Sequence, residues 1–334
     1  MQQNLYLKES PSSILKRLEE SSTPFIGFRD ASFGPSSYSL QLKDCLTAVS
    51  RAHSLRFLDF SNFDAEEYQR LERVENGDLN WIVPAKFLAF CGPVSKSRVD
   101  SGYHVHAPEA YLDYFKKKRV KTVIRLNKKM YDSSRFTKHG IRHHDLFFVD
   151  GSTPPDDVLN KFLQICESTD DAIAVHCKAG LGRTGSLIGC YLMKHYGFSA
   201  PEAMAWIRIC RPGSVIGPQQ QWLLDKESAM LDNNNQFKKK DEDISRLESL
   251  DLNLNLVVVN QDEEQEDQQP TQGDLLNRRK ACHQQRVVVI HHPITLLDQP
   301  MISTTTTTKP NTTSPRVTSS LRTTTSGMVL RRSS

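Results

Sequence analysis

Val175-His176-Cys177-Lys178-Ala179-Gly180-Leu181-Gly182-Arg183-Thr184-Gly185 carries the most specific chemical signal in this chain. A cysteine and an arginine stand here with five residues between them, behind the unbroken apolar run Ala172-Ile173-Ala174-Val175. Small residues at Ala179, Gly180 and Gly182 let the backbone curl tightly, so that its N–H groups converge on one point at the start of a helix. Cys177 would lie at the base of that nest. A helix N-terminus and an arginine both favour the thiolate, the nucleophilic form of cysteine. Arg183 can grip two phosphate oxygens through its planar fork, which lysine cannot reproduce. The arrangement suits in-line attack of sulfur on a phosphorus whose oxygens are held by the loop. By itself a Cys-x5-Arg spacing is weak evidence, because cysteines are often buried as small hydrophobes and glycine-rich turns often only join a strand to a helix. The preceding strand, the three small loop residues and Thr184 favour the phosphate-binding reading.

Working outward, the flanking segments alternate between strand and helix patterns. Thr122-Val123-Ile124-Arg125-Leu126 and Asp145-Leu146-Phe147-Phe148-Val149 read as strands, and 172–175 as a central parallel strand. Val158, Leu159, Phe162, Leu163 and Cys166 fall on one helical face within 154–167. A helix is expected after the glycine-rich loop, through Tyr196. Ser199, Pro201 and Glu202 then open another with a cap, a first-turn proline and a capping box. Pro212-Gly213 closes that segment, and Pro218 can open a last helix bearing Trp222, Leu223 and Leu224. The pattern predicts an α/β fold with a central, largely parallel sheet flanked by helices.

The chain has 334 residues, enough for about two domains. Its 43 Lys+Arg nearly balance 39 Asp+Glu, for a formal charge of +4, which argues against a nucleic-acid coat. No apolar run approaches the roughly 18 residues of a membrane span, and the first residues lack the pattern of a signal peptide. The 7 cysteines include no Cys-x-x-Cys pair, so they read as reduced thiols rather than a disulfide scaffold or a zinc site. From Asp232 the texture changes to Asn, Lys, acidic and Thr/Ser runs. Such composition cannot offset roughly 1–2 kcal/mol of backbone entropy per residue, so a disordered tail is expected.

Residues 176–185 resemble the signature of the cysteine-dependent protein tyrosine and dual-specificity phosphatases. Further stretches resemble the cell-division-cycle-fourteen phosphatases, which reverse proline-directed phosphorylation by cyclin-dependent kinases. They are Met193-Lys194-His195-Tyr196, Ile209-Cys210-Arg211-Pro212-Gly213-Ser214-Val215-Ile216-Gly217-Pro218-Gln219-Gln220, Arg29-Asp30-Ala31-Ser32-Phe33-Gly34, Glu75-Asn76-Gly77-Asp78-Leu79-Asn80-Trp81 and Arg125-Leu126-Asn127-Lys128-Lys129. The resemblance spans roughly residues 5–230 and sits nearest the vertebrate A pattern.

The resemblance implies a dual-specificity phosphatase fold and a phosphocysteine mechanism without metal or cofactor. Cys177 would be the nucleophile, and Lys178, Ala179, Gly180, Leu181, Gly182 and Arg183 would bind phosphate. Asp150 would be the general acid; from its local sequence alone, Asp150-Gly151 reads at least as well as the start of a turn. Thr184 would steady the thiolate as the intermediate breaks down. Gln219 and Gln220 would orient the hydrolytic water, although three consecutive glutamines also suit a solvated helix face. Glu72, Glu75 and Asp78 would line an acidic groove reading a basic residue after phosphoserine-proline, with Gln69 standing where an acid is usual. A solvated acidic turn is the alternative for these residues. The implied organisation is a remnant of an N-terminal noncatalytic phosphatase-like domain at 1–60, a linker at 61–80, a catalytic domain at 81–231 and a disordered regulatory tail at 232–334. A partial first domain would expose Leu5, Leu7, Ile14, Leu18 and Phe25. Ile244, Leu247, Leu250 and Leu252 resemble a segment read by a nuclear-export receptor, or form an amphipathic turn with no reader. Expected partners are phosphoproteins with Ser-Pro sites; the expected location is nucleus and cytoplasm, with spindle poles by resemblance. A phosphoinositide phosphatase would favour more loop cations than Lys178 alone. A noncatalytic phosphoprotein scaffold fits poorly with Cys177, Arg183 and Asp150 kept together.

Overall fold

The computed structural model describes residues 9–20, 24–34, 36–100, 102–244 and 271–287. Ahead of the sheet come α1 (Pro11–Glu19), the two-residue strands β1 (Phe28–Arg29) and β2 (Ser39–Leu40), α2 (Leu42–Ser54) and α3 (Ala65–Leu71). The sheet and its helices follow as β3 (Leu79–Val83), β4 (Phe87–Phe90), the small hairpin β5 (Arg98–Asp100) and β6 (Tyr103–Val105), α4 (Glu109–Lys117), β7 (Val120–Arg125), α5 (Ser134–Thr137), β8 (Arg142–Asp145), α6 (Asp156–Glu167) and β9 (Ala172–His176). Four helices complete the described chain: α7 (Gly182–Tyr196), α8 (Ala200–Cys210), α9 (Pro218–Ile244) and α10 (Gln272–Val287).

The central sheet has five strands in the order β3-β4-β9-β7-β8, parallel except for the β3–β4 hairpin at one edge. The largely parallel sheet is therefore as expected. β9 is buried along its whole length because both faces are covered. Its side chains alternate between two cores: Ile173 and Val175 join Phe87, Phe162, Leu187, Trp206 and Leu223 on one side, while Ala172 and Ala174 join Phe90, Phe115 and Phe136 on the other. The expected capping box is present at Ser199 and Glu202, with a proline in the first turn of α8. Gly197 in the left-handed conformation closes α7.

Three expectations need correction. The strand read over 145–149 ends at Asp145. Beyond it, Leu146 and Phe148 still donate to Arg125 and Leu126 carbonyls, but the chain is leaving the sheet, with Phe147 and Val149 facing solvent. The N-terminal residues bury more apolar surface than expected of a partial domain. Ala48 and Ala52 of α2 are fully buried in the larger core beside α8, and their small side chains permit close helix packing. Arg51 pairs with Glu202 at 3.0 Å, and Phe57 meets Tyr196 edge-on at 4.8 Å. Ile14, expected exposed, is only 3% exposed, whereas Phe25 is exposed as foreseen; Leu5 and Leu7 lie outside the described residues. Finally, the region assigned to a disordered tail contains the end of α9 and all of α10. The Thr271 and Asp274 cap and the buried Leu276 that fix α10 stand within highly polar flanking sequence, where no long apolar period announces them. Leu247, Leu250 and Leu252 lie outside the described residues.

Candidate active site

Cys177 follows β9 directly and is 3% exposed, at the mouth of the turn that leads into α7. The turn requires glycine at position 180: its φ is +67°, and a Cβ there would stand 2.0 Å from the Phe90 carbonyl oxygen. The loop's carbonyls are taken up from outside. Arg211 donates to Ala179 O at 2.9 Å and to Gly180 O at 2.7 Å, while the Gly92 amide donates to Lys178 O at 3.0 Å. With its oxygens engaged outward, the loop presents amides on the other side, continuous with the first turn of α7. That helix has no side-chain cap, so its leading amides keep their capacity to donate. Arg183 Nε and Thr184 Oγ1 are buried and have no hydrogen-bond partner among the described residues. Buried side-chain donors without a partner are uncommon, and two adjoin one another at this loop. The loop is thus built to surround an oxyanion beside a thiol.

Asp150 lies on the segment between β8 and α6. Arg183 reaches across to it, with Nη2 3.1 Å from Asp150 Oδ1. Arg183 Nη1 donates to the carbonyls of Phe148 at 2.9 Å and Leu126 at 3.2 Å. The arginine therefore fastens the Asp150 segment to the loop that carries Cys177. Local sequence read at least as well as a simple turn at Asp150; the structure adds the contact between its carboxylate and Arg183.

Two buried networks hold the loop from behind. His176 and His143 flank the Tyr131 hydroxyl, each at 2.8 Å, and His176 Nδ1 lies 3.0 Å from Cys177 O. A consistent proton arrangement has His176 Nδ1–H donating to Cys177 O, Tyr131 donating to His176 Nε2 and His143 donating to Tyr131. Burial pushes His176 down to about 3 and His143 to about 4, so both are neutral at ordinary pH. The second network joins Arg211, Asp78 and Asn80. Arg211 is fully buried and donates to Asp78 Oδ1 at 2.8 Å, Asp78 O at 2.9 Å and Asn80 Oδ1 at 2.6 Å. Burial alone would raise the Asp78 carboxyl, but Arg211 and Lys280 outweigh it and hold it below its ordinary value.

Not every expected site residue is brought to the loop. Gln219 is: a Cβ on Gly182 would come within 2.7 Å of its Oε1, and its Nε2 donates to Ser152 O at 3.0 Å. Gln220, one residue and about 100° further round the helix, accepts from Arg208 at 2.8 Å and faces Ser36 instead. Both are buried, so neither belongs to a solvated face. Asp78 is 1% exposed, paired with Arg211 from within and with Lys280 of α10. Glu72 is half-buried at the end of α3, and Glu75 is exposed on the short turn Val74–Asn76. Sequence reasoning assigned no role to Arg211, Asn80, Tyr131 or His143. The available signal was a charged residue at the end of an apolar helix, Arg211 after Ile209-Cys210. Among the described residues, no group of three or more His, Cys, Asp or Glu is placed to hold a metal ion, and no helix is long and apolar enough to cross a membrane.

Residues 102–229 match the family described as dual specificity phosphatase, catalytic domain, and residues 3–52 match dual specificity protein phosphatase, N-terminal half. Fold and family match together place the chain in the dual-specificity phosphatase class. Dual specificity protein phosphatase CDC14A of Mus musculus is 56% identical over 237 residues, 71% of this chain and 39% of that protein. CDC14B of Mus musculus is 55% identical over 236 residues, again 71% of this chain and 49% of that protein. Tyrosine-protein phosphatase cdc-14 of Caenorhabditis elegans is 54% identical over 222 residues, 66% of this chain and 30% of that protein. This chain belongs to the CDC14 family of dual specificity phosphatases. It spans between about a third and a half of the length of these relatives.

Proposed function

We propose that this chain hydrolyses phosphoserine, phosphothreonine and phosphotyrosine in proteins through a phosphocysteine intermediate, with preference for phosphoserine followed by proline. The observation that carries this reading is the Arg183–Asp150 pair at 3.1 Å, which ties a proton donor to a loop whose sole thiol is Cys177. In the first step the Cys177 sulfur attacks phosphorus while Arg183 and the loop amides hold the non-bridging oxygens. Protonated Asp150 gives its proton to the departing oxygen, because a serine or threonine alkoxide is a poor leaving group. In the second step water attacks the phosphocysteine, Asp150 takes the water's proton, and the sulfur leaves as thiolate, steadied by Thr184. Gln219, which lies against Gly182, orients that water in this reading. Glu72 and Glu75 are the acids left to meet a basic residue beyond the proline, while Asp78 supports the loop through Arg211. The family resemblance supports a role in opposing cyclin-dependent kinases during cell division.

The test is phosphate release from a phosphoserine-Pro-x-Lys peptide by the purified chain with EDTA present, beside Cys177→Ser. Release that persists in EDTA, disappears in the variant and falls when alanine replaces the proline supports the reading. Release by Cys177→Ser at the wild-type rate overturns it.

A further inference from the structure

Helix α10 lies across the mouth of the loop, and its contacts fall on groups that the proposed chemistry needs. Leu276 is 4% exposed and packs on Ala179, Leu181 and Ile216. Thr271 caps the helix, with its amide donating to Asp274 Oδ2 at 3.0 Å. Both cap residues engage the loop lysine: Lys178 Nζ donates to Thr271 Oγ1 at 3.0 Å and to Asp274 Oδ2 at 2.5 Å. The Gly273 amide donates to Asp150 Oδ2 at 3.1 Å. Since Arg183 holds the other oxygen, both oxygens of the proposed proton donor are engaged. The approach requires glycine, because a Cβ on Gly273 would stand 2.9 Å from Asp150 Oδ2 and 3.0 Å from Lys178 Cβ. One helical face further along, Lys280 pairs with Asp78 and shares the electrostatic field of Glu72. Arg279 donates to Ala31 O at 2.9 Å and lies 4.9 Å from the Phe33 ring centre.

We infer that the strip formed by Ala179, Leu181 and Ile216, between Lys178 and Asp78, is a docking surface for a capped amphipathic helix, that residues 271–280 of this chain fill it, and that this helix and a phosphoprotein substrate exclude one another. The inference rests on the functional reading above for what is excluded; the contact itself stands on the geometry. A substrate needs Asp150 free to meet the leaving oxygen and a path to Cys177 past Lys178, and α10 occupies both. Its Lys280 also brings a cation near Glu72, one of the two acids proposed to meet a basic residue of the substrate. Only one large apolar side chain anchors the described part of the helix, so displacement does not dismantle either core. Because the helix belongs to the same chain, it competes at a high effective concentration, and substrates bind only the fraction of molecules in which it has left.

The experiment uses the full chain with Leu276→Glu and with Lys280→Glu, and Arg278→Glu, on the exposed side of α10, as the control. Alkylation of Cys177 by iodoacetate, followed by mass spectrometry, reports access to the thiol without any need for turnover. Phosphate release from the phosphoserine-Pro-x-Lys peptide is measured in parallel, and thermal unfolding confirms that each variant is folded. Leu276→Glu should raise both the alkylation rate and kcat/KM about tenfold, Lys280→Glu should raise both by less, and Arg278→Glu should leave them unchanged. A synthetic peptide of residues 270–286 should slow Leu276→Glu again. Folded Leu276→Glu and Lys280→Glu chains that alkylate at the wild-type rate overturn the inference, whatever their turnover. Faster alkylation with no phosphate release from any variant would support the docked helix and sink the functional reading instead.

Discussion

Arg211→Lys separates charge from shape on the outer side of the phosphate loop. Arg211 makes five hydrogen bonds through three nitrogens, to Ala179 O, Gly180 O, Asp78 O, Asp78 Oδ1 and Asn80 Oδ1, and is fully buried. A lysine ammonium keeps the charge but has three N–H bonds on one atom, so at least two buried acceptors lose their donor. Each orphaned acceptor costs about 1–3 kcal/mol, which places the substitution at about 2–6 kcal/mol. For a unit of this size 1 kcal/mol moves Tm by roughly 2–4 °C, so Tm should fall on the order of 10 °C. The Ala179 and Gly180 carbonyls, once released, no longer fix the inward direction of the loop amides, and kcat/KM should drop on the order of tenfold or more. Calorimetry or circular dichroism on heating reads the first effect, and aryl phosphate hydrolysis below the melting range reads the second. A comparison with Arg211→Met, which also strips Asp78 of its main counter-charge and should cost about 3–5 kcal/mol for that pair alone, tells the fork from the charge. An Arg211→Lys chain with Tm within about 2 °C of wild type and unimpaired turnover would refute the idea that the fork organises the loop.

Other outcomes follow from the same geometry. Gly180→Ala places a Cβ 2.0 Å from Phe90 O at a φ of +67°, so hydrolysis should be lost while the rest of the fold persists; wild-type activity would show that the loop can move its backbone freely. Asp150→Asn should slow release from phosphoserine peptides by roughly 10²–10⁴-fold but slow an aryl phosphate with a good leaving group far less; equal losses on both substrates would remove Asp150 from proton transfer. His176 at about 3 and His143 at about 4 bind protons more weakly in the folded chain than at the ordinary 6.5. The unfolded chain therefore takes up protons first, and the stability contributed by these residues is full above pH 6.5 and declines as pH falls toward 3. Urea midpoints should drop between pH 6.5 and 5 by an amount that shrinks when His143 is replaced by glutamine; a flat profile in wild type would mean that neither histidine is buried neutral.

Much of the catalytic fold was legible because its strands and helices are periodic and locally capped. β9 announced itself by an unbroken apolar run, and α8 by Ser199, Pro201 and Glu202. The loop was legible for a different reason: a cysteine, small residues and an arginine at fixed spacing have few uses besides holding an oxyanion. What escaped lies in contacts between distant positions. Asp78 belongs with Arg211, 133 residues on, and an acidic turn gives no sign that such a partner will bury it. Gln219 and Gln220 are identical in type and adjacent, so only helix phase separates the one facing the loop from the one facing Arg208. Helix α10 was hidden by composition, because one leucine, one glycine and a cap fix it where the surrounding chain is polar.

Arg211 and Arg183 illustrate how a loop of small residues acquires a direction. A curled backbone has amides and carbonyls pointing opposite ways, and nothing in Ala179-Gly180-Leu181-Gly182 decides which set faces the nucleophile. Arg211 decides it by engaging the carbonyls from behind, in a position where no solvent competes. Arg183 stands on the opposite side of the problem, holding the Asp150 segment with Nη1 and Nη2 while its Nε stays buried and unpartnered. One guanidinium is therefore fully spent on the fold, and the other is spent on the fold only in part. Residue type and burial are nearly the same for both; the difference in function lies in which donors the protein itself leaves unused, and that is the property a substrate phosphate would meet.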